Sequence, residues 1–126
     1  GKAFSVGDID IMPVEVMHHR LPVLAYRFGT ISYVTDIKTI DKENLELLRG
    51  TETLVVSALR WEKDHHSHLL VRDAIELADA IGAHSTYLTH LTDRIGFHAL
   101  ASDRLPQGVE LAYDGLKIIC PKPVLN

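Results

Sequence analysis

Three early segments are strand-like, and the first of them alternates apolar and polar residues with the two-residue period of a half-buried β-strand. The first segment, residues 9–16 (IDIMPVEV), is rich in the β-branched side chains that favour strands. The other two, 23–29 and 30–36, meet at a Gly-Thr pair, and this spacing predicts a hairpin. Residues 18–22 (HHRLP) interrupt the alternation, so the early part of the chain is predicted to be strands joined by short turns.

The middle of the chain combines helical spacing with strand-like runs. Residues 41–50 place two leucines on one face and end at a glycine, which predicts a helix. Residues 53–59 are almost continuously apolar, as expected for a strand that is buried on both faces. Apolar residues recur at helical intervals over 69–82, and 84–90 has the composition of a short strand. The order strand, helix, strand predicts a parallel βαβ unit.

The end of the chain is predicted to contain a short helix over 96–105 and a hairpin over 108–119 that turns at Asp114-Gly115. Strands at both ends and a βαβ unit between them indicate a mixed α/β chain with antiparallel and parallel pairing. In such sheets, ligands bind beyond the carboxyl ends of the strands.

Length and composition restrict the functional classes. The 126 residues suffice for one domain with a core, and the 46% hydrophobic content is typical of a globular protein. A net charge of −4 makes long nucleic acid an unexpected partner. A single cysteine excludes an intrachain disulfide framework, and no apolar run approaches the length of a membrane span. A cytoplasmic location without membrane contact is expected.

Side chains able to bind metals follow several predicted strands. They are His18 and His19 after the first strand, Asp36 at the end of YVTD, His65, His66 and His68 after VVSAL, and His90 at the end of YLTH. Imidazole and carboxylate groups suit zinc, manganese or iron. A single histidine or aspartate at such a position is more often a surface residue or a turn residue than a ligand, so the pattern alone leaves the role of the DHHSH segment open.

Four stretches of the sequence together resemble a known family. They are MPVEVMHHRLPVLAYRFGTISYVTD, LVVSALR, HSHLLVRDAIELADAIGAHSTYLTHL and LAYDGLKI. They resemble the C-terminal half of the metallo-β-lactamase superfamily, most nearly its cyclic-phosphate phosphodiesterase branch, and transfer-RNA 3′-processing endonucleases share the pattern. The resemblance implies that residues 1–126 form one half of an αββα sandwich, with a mixed sheet and flanking helices.

The resemblance also implies a metal site with two divalent ions, zinc or manganese, in the intact parent protein. Asp36 matches the carboxylate that bridges the ions, while His18 and His90 match one ligand of each ion. His19 stands where the family usually has a glycine. The family signature His-x-His-x-Asp-His is absent from the sequence. We therefore expect a truncated hydrolase whose site is partial or empty and which is inactive alone.

The same families have a histidine outside the metal ligands that opens a helix and protonates the leaving group. His68 lies 22 positions before His90 and matches that spacing, whereas His65 lies 25 before it. The resemblance therefore implies His68 as general acid, with His65 as the second choice.

The implied function is a dinuclear-metal phosphodiesterase that acts on a small, cyclic phosphodiester. The alternatives are another hydrolase of the superfamily, such as an RNA-processing nuclease, thioesterase or lactonase, and a non-catalytic half-domain that needs a partner. Half a sandwich leaves one sheet face uncovered, so either a homodimer or pairing with the missing N-terminal half is expected.

Overall fold

A single mixed β-sheet organises the chain. The computed structural model describes residues 2–61, 64–65, 67–91 and 101–119. The described elements are β1 (Phe4–Val6), β2 (Ile9–His18), β3 (Leu21–Phe28), β4 (Ile31–Val34), α1 (Lys42–Leu48), β5 (Thr53–Ser57), α2 (Val71–Ile81), β6 (Ser85–Thr89) and β7 (Val109–Leu111). The seven strands follow one another across the sheet in chain order. None of the helices in these ranges is long and apolar enough to cross a membrane.

Strand directions decide which ends of the strands meet. Strands β1 to β4 pair antiparallel, and β4 to β7 pair parallel. Two antiparallel steps separate β2 from β4, so β2 runs in the same direction as β4, β5 and β6. The carboxyl ends of these four strands therefore lie along one edge of the sheet, which we call the carboxyl edge.

One face of the sheet carries the core. Cross-strand register places Val34, Val56 and Leu88 side by side on this face, and all three are fully buried. Helix α2 packs on β5 and β6 through a stripe of buried residues at helical spacing: Val71, Ala74, Ala78 and Ile81. Gly82 ends this helix in the left-handed conformation that glycine tolerates best.

The opposite face, which we call the open face, is apolar but uncovered by the described residues. The register pairs Tyr26 with Tyr33 on it. Their exposed fractions are 36% and 46%, and that of Leu24, two positions before Tyr26 on the same strand, is 48%. Large apolar side chains grouped in this way mark a surface that is usually covered by another layer of structure.

The structure confirms the mixed α/β sheet and the parallel pairing of β5 with β6 through α2. The predicted hairpin over 108–119 is wrong. The turn at Asp114-Gly115 is present, but β7 pairs parallel with β6 and residues 112–119 form no strand. The short strand β1 was missed because three residues are too few for a periodic signal. Of the helix predicted over 96–105, residues 96–100 lie outside the described part of the chain.

Arg27 on β3 holds the end of α1. Its guanidinium donates hydrogen bonds to the carbonyl oxygens of Leu47 at 2.9 Å, Arg49 at 2.5 Å and Gly29 at 2.9 Å. Helix α1 has no basic residue in its last turn, so Arg27 supplies the positive charge and the donors that the terminal carbonyls need.

Arg27→Ala is expected to lower the free energy of unfolding by about 2 kcal/mol, because charge-assisted hydrogen bonds are lost and the carbonyls lose their donors. Urea denaturation measures the change. Arg49→Ala is the matched control, because the Arg49 side chain makes an exposed ion pair with Glu46, which is worth at most about 0.5 kcal/mol. Equal losses in the two variants would contradict the role of Arg27.

Candidate metal centre

Polar side chains gather where the parallel-running strands end. His18 is the last residue of β2, Asp36 follows β4 by two positions, and His90 directly follows β6. The loop over 58–70 continues from β5 and carries His68. One ligand atom from each of His18, Asp36 and His68 lies within 4.8 Å of the other two. The carboxyl edge therefore brings together, from distant parts of the chain, groups that can bind a metal ion.

Backbone hydrogen bonds fold the loop back onto the sheet. The amide of Ala58 donates to the Thr89 carbonyl at 2.9 Å. The Leu59 amide donates to the Leu69 carbonyl at 2.9 Å, and the Val71 amide to the Arg60 carbonyl at 3.0 Å. These bonds close the base of the loop, so His68 returns to the end of β6 beside His90.

His68 lies at the middle of a histidine cluster. Its ring stacks on that of His90 with centroids 4.7 Å apart and planes inclined by 28°. The ring of His18 meets it edge-on at 4.7 Å, and that of His65 lies at 5.2 Å. Four imidazoles and the Asp36 carboxylate thus share one small region.

Ser67 fixes two of these rings through its backbone. The Nδ1 atom of His18 lies 3.0 Å from the Ser67 carbonyl, and because a carbonyl only accepts, Nδ1 must carry the proton. In the neutral form of this ring the lone pair lies on Nε2, which can bind a cation, and this is the arrangement that metal-binding histidines usually show. The Ser67 amide donates to His65 Nδ1 at 3.1 Å, which occupies that lone pair.

Three residues other than glycine at or near the carboxyl edge have left-handed backbone conformations. The φ angles are +57° at His19, +58° at Asp36 and +63° at His90. This region is uncommon for residues with a side chain and concentrates at functional sites. His19, in the glycine position of the related motif, adopts the backbone angle that glycine would take and begins the two-residue turn between His18 and Leu21.

Burial and neighbouring charges favour the neutral form of His68. Burial lowers the pKa of its imidazole, and His90, His18 and His65 lower the pKa further by repulsion between positive rings. The Asp36 carboxylate opposes them and raises it. His68 Nδ1 is buried and has no hydrogen-bond partner among the described residues. An orphaned ring nitrogen beside a carboxylate and a second imidazole fits a divalent cation such as zinc or manganese.

A surface ion pair holds the loop from the other side. Lys38 Nζ lies 2.6 Å from the Asp64 carboxylate, and this hydrogen bond lowers the pKa of Asp64. The side chain of Asp64 is 71% exposed, so the ion pair adds little to the free energy of unfolding, and its main effect is to position the loop.

The structure brings all five predicted site residues into one region. The three residues whose ligand atoms lie close together are not the three that were expected as ligands. His18 and Asp36, predicted ligands, lie within ligand reach of each other. His68, predicted as a general acid, is in the same group, whereas His90 contacts it through ring stacking. His65 lies at the side of the cluster. Their individual roles stay predictions, and His66 lies outside the described residues.

Ser67 is the contributor that sequence reasoning missed. It has no metal-binding side chain, and it acts on His18, 49 positions away in sequence, through a backbone carbonyl. No side-chain pattern could have shown this contact.

Comparison with known proteins shows the family. The family model for the beta-lactamase superfamily domain matches residues 1–91, and the chain belongs to this superfamily. A crystal structure of a diphosphatase from the PhnP family shares 33% identity and superposes with a TM-score of 0.90, over 95% of this chain and 47% of that one. The predicted resemblance and fold class are thereby confirmed, and this neighbour is consistent with the cyclic-phosphate phosphodiesterase branch.

Two more distant structures share the fold. The metallo-beta-lactamase fold protein YhfI from Bacillus subtilis is 19% identical, with a TM-score of 0.72 over 91% of this chain and 51% of that one. The short form of human tRNase Z is 20% identical, with a TM-score of 0.69 over 94% of this chain and 44% of that one.

A sequence relative carries a different name. An octanoyltransferase from Porphyromonas gingivalis strain W83 is 35% identical over 116 residues, which is 92% of this chain and 24% of that protein. The chain thus spans about a quarter of this relative and about half of the solved structures.

Proposed function

We propose that the chain supplies part of the metal site of a dinuclear-metal phosphodiesterase that acts on a small, cyclic phosphodiester. The observation that carries the proposal is the group formed by His18, Asp36 and His68 at the carboxyl edge, with His90 stacked against it. Further support comes from the diphosphatase of the PhnP family, which is 33% identical and covers nearly the whole chain.

In this proposal His18, Asp36 and His90 hold two divalent ions, zinc or manganese. Such ions, when bound, activate water and stabilise negative charge on a phosphate ester. The hydrogen bond from His18 Nδ1 to the Ser67 carbonyl keeps Nε2 directed for binding. The family resemblance implies that the remaining ligands come from an N-terminal half that contains His-x-His-x-Asp-His, and the proposal includes such a half. The chain alone then binds metal weakly and is inactive.

His68 serves as the general acid in the proposed reaction, and His65 is the second choice. Because His68 Nδ1 is buried, Nε2 is the atom that can give a proton to the leaving oxygen. Proton transfer from a positioned histidine raises the rate of such a reaction by roughly 10²- to 10⁴-fold. The base of the loop, closed by the bond from Leu59 to Leu69, holds the ring in place.

The open face is the proposed contact with the N-terminal half, which would complete the αββα sandwich. Tyr26, Tyr33 and Leu24 offer it an apolar surface. A homodimer through the same face is the alternative. Sedimentation of the chain as a monomer at high concentration would exclude the homodimer. Contact with the N-terminal half would then be the remaining use of the open face.

Hydrolysis of bis(p-nitrophenyl) phosphate tests the proposed activity. The chain joined to its N-terminal half is expected to cleave this diester in a manganese- or zinc-dependent way, and the chain alone is expected to be at least a hundredfold slower. A thioester and a lactone are the comparison substrates, because those activities belong to other members of the superfamily. Faster cleavage of either one than of the diester would contradict the proposal.

A further inference from the structure

We propose that Ser57 positions His68 for proton transfer, with the Ser57 hydroxyl accepting a hydrogen bond from Nδ1 of the imidazole. The inference rests on the proposed function, because it deepens the role given there to His68. In the described part of the chain, two buried side-chain polar atoms lack a hydrogen-bond partner, and they are Ser57 Oγ and His68 Nδ1. Each such atom costs about 1–3 kcal/mol while it has no partner, so a contact between them in the working protein would stabilise both.

Ser57 is the polar residue in the otherwise apolar run that ends β5. It is the last residue of the strand and is 1% exposed. Val56 lies on the core face, so the alternation of the strand directs Ser57 to the open face, together with Val55 and Thr53. Those two residues are half-buried, whereas Ser57 is fully covered. The cover therefore begins at the carboxyl edge, where the loop over 58–70 folds back onto the sheet.

Backbone contacts bring Ser57 and His68 to the same end of the sheet. Ser57 pairs with Thr89 in the register of β5 and β6, and paired strands lie about 4.8 Å apart. The residue after Thr89 is His90, whose ring stacks on that of His68 with centroids 4.7 Å apart. The loop that starts after Ser57 and returns at His68 is closed at its base by the backbone hydrogen bonds described above. One strand pairing and one ring contact therefore connect the serine to the imidazole.

The partner of Nδ1 decides which nitrogen of His68 exchanges a proton. A hydroxyl oxygen accepts from the Nδ1–H group both before the transfer, when the ring is protonated, and after it, when the ring is neutral. The proton on Nε2 then passes to the leaving oxygen as its bond to phosphorus breaks, and solvent restores it between turnovers. Because the hydroxyl is uncharged, it fixes the tautomer and the ring orientation without a negative charge that would hold the departing proton on the ring.

Two other pairings of these atoms are less complete. A cation bound at His68 Nδ1 would satisfy that atom but would leave Ser57 Oγ without a partner. The Ser57 hydroxyl would instead donate to Asp36 if it served the metal ligands, but no buried oxygen of Asp36 lacks a partner among the described residues. A bond between Ser57 and His68 satisfies both unpartnered atoms. The alternatives also predict a change in cation affinity on loss of the hydroxyl, whereas the proposed bond does not.

Long-range proton–nitrogen NMR correlations of the imidazole rings test the proposal in the chain itself, at a pH where His68 is neutral. The wild type is expected to carry the His68 proton on Nδ1. Ser57→Ala should move it to Nε2, because Nδ1 then has no acceptor, and Ser57→Thr should keep the wild-type tautomer, because the hydroxyl remains. Ser32→Ala is the matched control. Ser32 is a buried strand serine on the core face whose hydroxyl bonds that of Thr51, so its loss should leave the His68 signals unchanged.

Turnover and zinc affinity of the same variants separate this inference from the proposed function. With the chain joined to the proposed N-terminal half, Ser57→Ala should lower kcat for bis(p-nitrophenyl) phosphate at least tenfold, with KM and zinc affinity within twofold of the wild type. The same His68 tautomer in wild type and Ser57→Ala would overturn the inference, and so would a tenfold loss of zinc affinity in Ser57→Ala. If even the wild type fails to cleave the diester, the proposed function is wrong, and the tautomer alone decides whether Ser57 positions the ring.

Discussion

Asp36→Asn is expected to weaken the binding of a divalent cation by the chain at least tenfold. Asp36 supplies the one carboxylate in the ligand group found among the described residues, so the substitution removes the negative charge that attracts the ion. Asparagine has nearly the same shape and tolerates the left-handed backbone at this position, so the fold should be retained. Zinc titration in competition with a fluorescent chelator measures the affinity.

Asp64→Asn is the control for this experiment. Asp64 lies in the same loop as the histidines, but its carboxylate pairs with Lys38 and is largely exposed. Its substitution should change zinc affinity by less than twofold. If Asp36→Asn binds zinc as tightly as the wild type, Asp36 is not a ligand, and the assignment of the metal centre is wrong.

His68→Ala is expected to lower the turnover of bis(p-nitrophenyl) phosphate by roughly 10²- to 10⁴-fold when the chain is joined to the proposed N-terminal half. Metal content should not change, because His18, Asp36 and His90 remain. Turnover falls because the leaving oxygen loses its proton donor. Turnover and metal content are measured on the same preparation, so that the two effects can be separated.

The position of His68 makes this experiment informative. One of its ligand atoms lies within 4.8 Å of those of His18 and Asp36, so it is also close enough to bind a cation. If metal is lost in parallel with turnover, His68 is a ligand, and the role of acid passes to His65. The control is His84→Ala, an exposed residue just before β6 at the opposite edge of the sheet, which should leave both quantities unchanged.

Periodicity in the sequence was sufficient to predict the central fold. The helical spacing of the apolar residues in α2 and the short, continuous apolar run of β5 are typical of a helix packed on a strand that is buried on both faces. Hydrophobic periodicity does not specify strand pairing, which explains the error at the end of the chain. The Asp114-Gly115 turn was expected to join two strands of a hairpin, but β7 pairs instead with β6, a partner more than 20 residues earlier.

The location of the site was predictable from the sequence, but the orientation of its side chains was not. Histidine and aspartate residues at four strand ends suggested a shared site, and the family resemblance selected His18, Asp36 and His90 as ligands. The shared direction of β2, β4 and β6 brings these three residues to one edge. The orientation of each ring was not predictable. It depends on the Ser67 backbone, on stacking between His68 and His90, and on a left-handed backbone at Asp36. These features arise from contacts between distant segments.

The most direct test of the proposed metal centre is paramagnetic broadening by manganese in the NMR spectrum of the chain. Mn²⁺ is added below stoichiometry, so that weak binding is still located. The signals of His18, Asp36, His68 and His90 are predicted to broaden first. Broadening that begins instead at the acidic residues of α1, Glu43 and Glu46, with no effect at the carboxyl edge, would contradict a metal centre there.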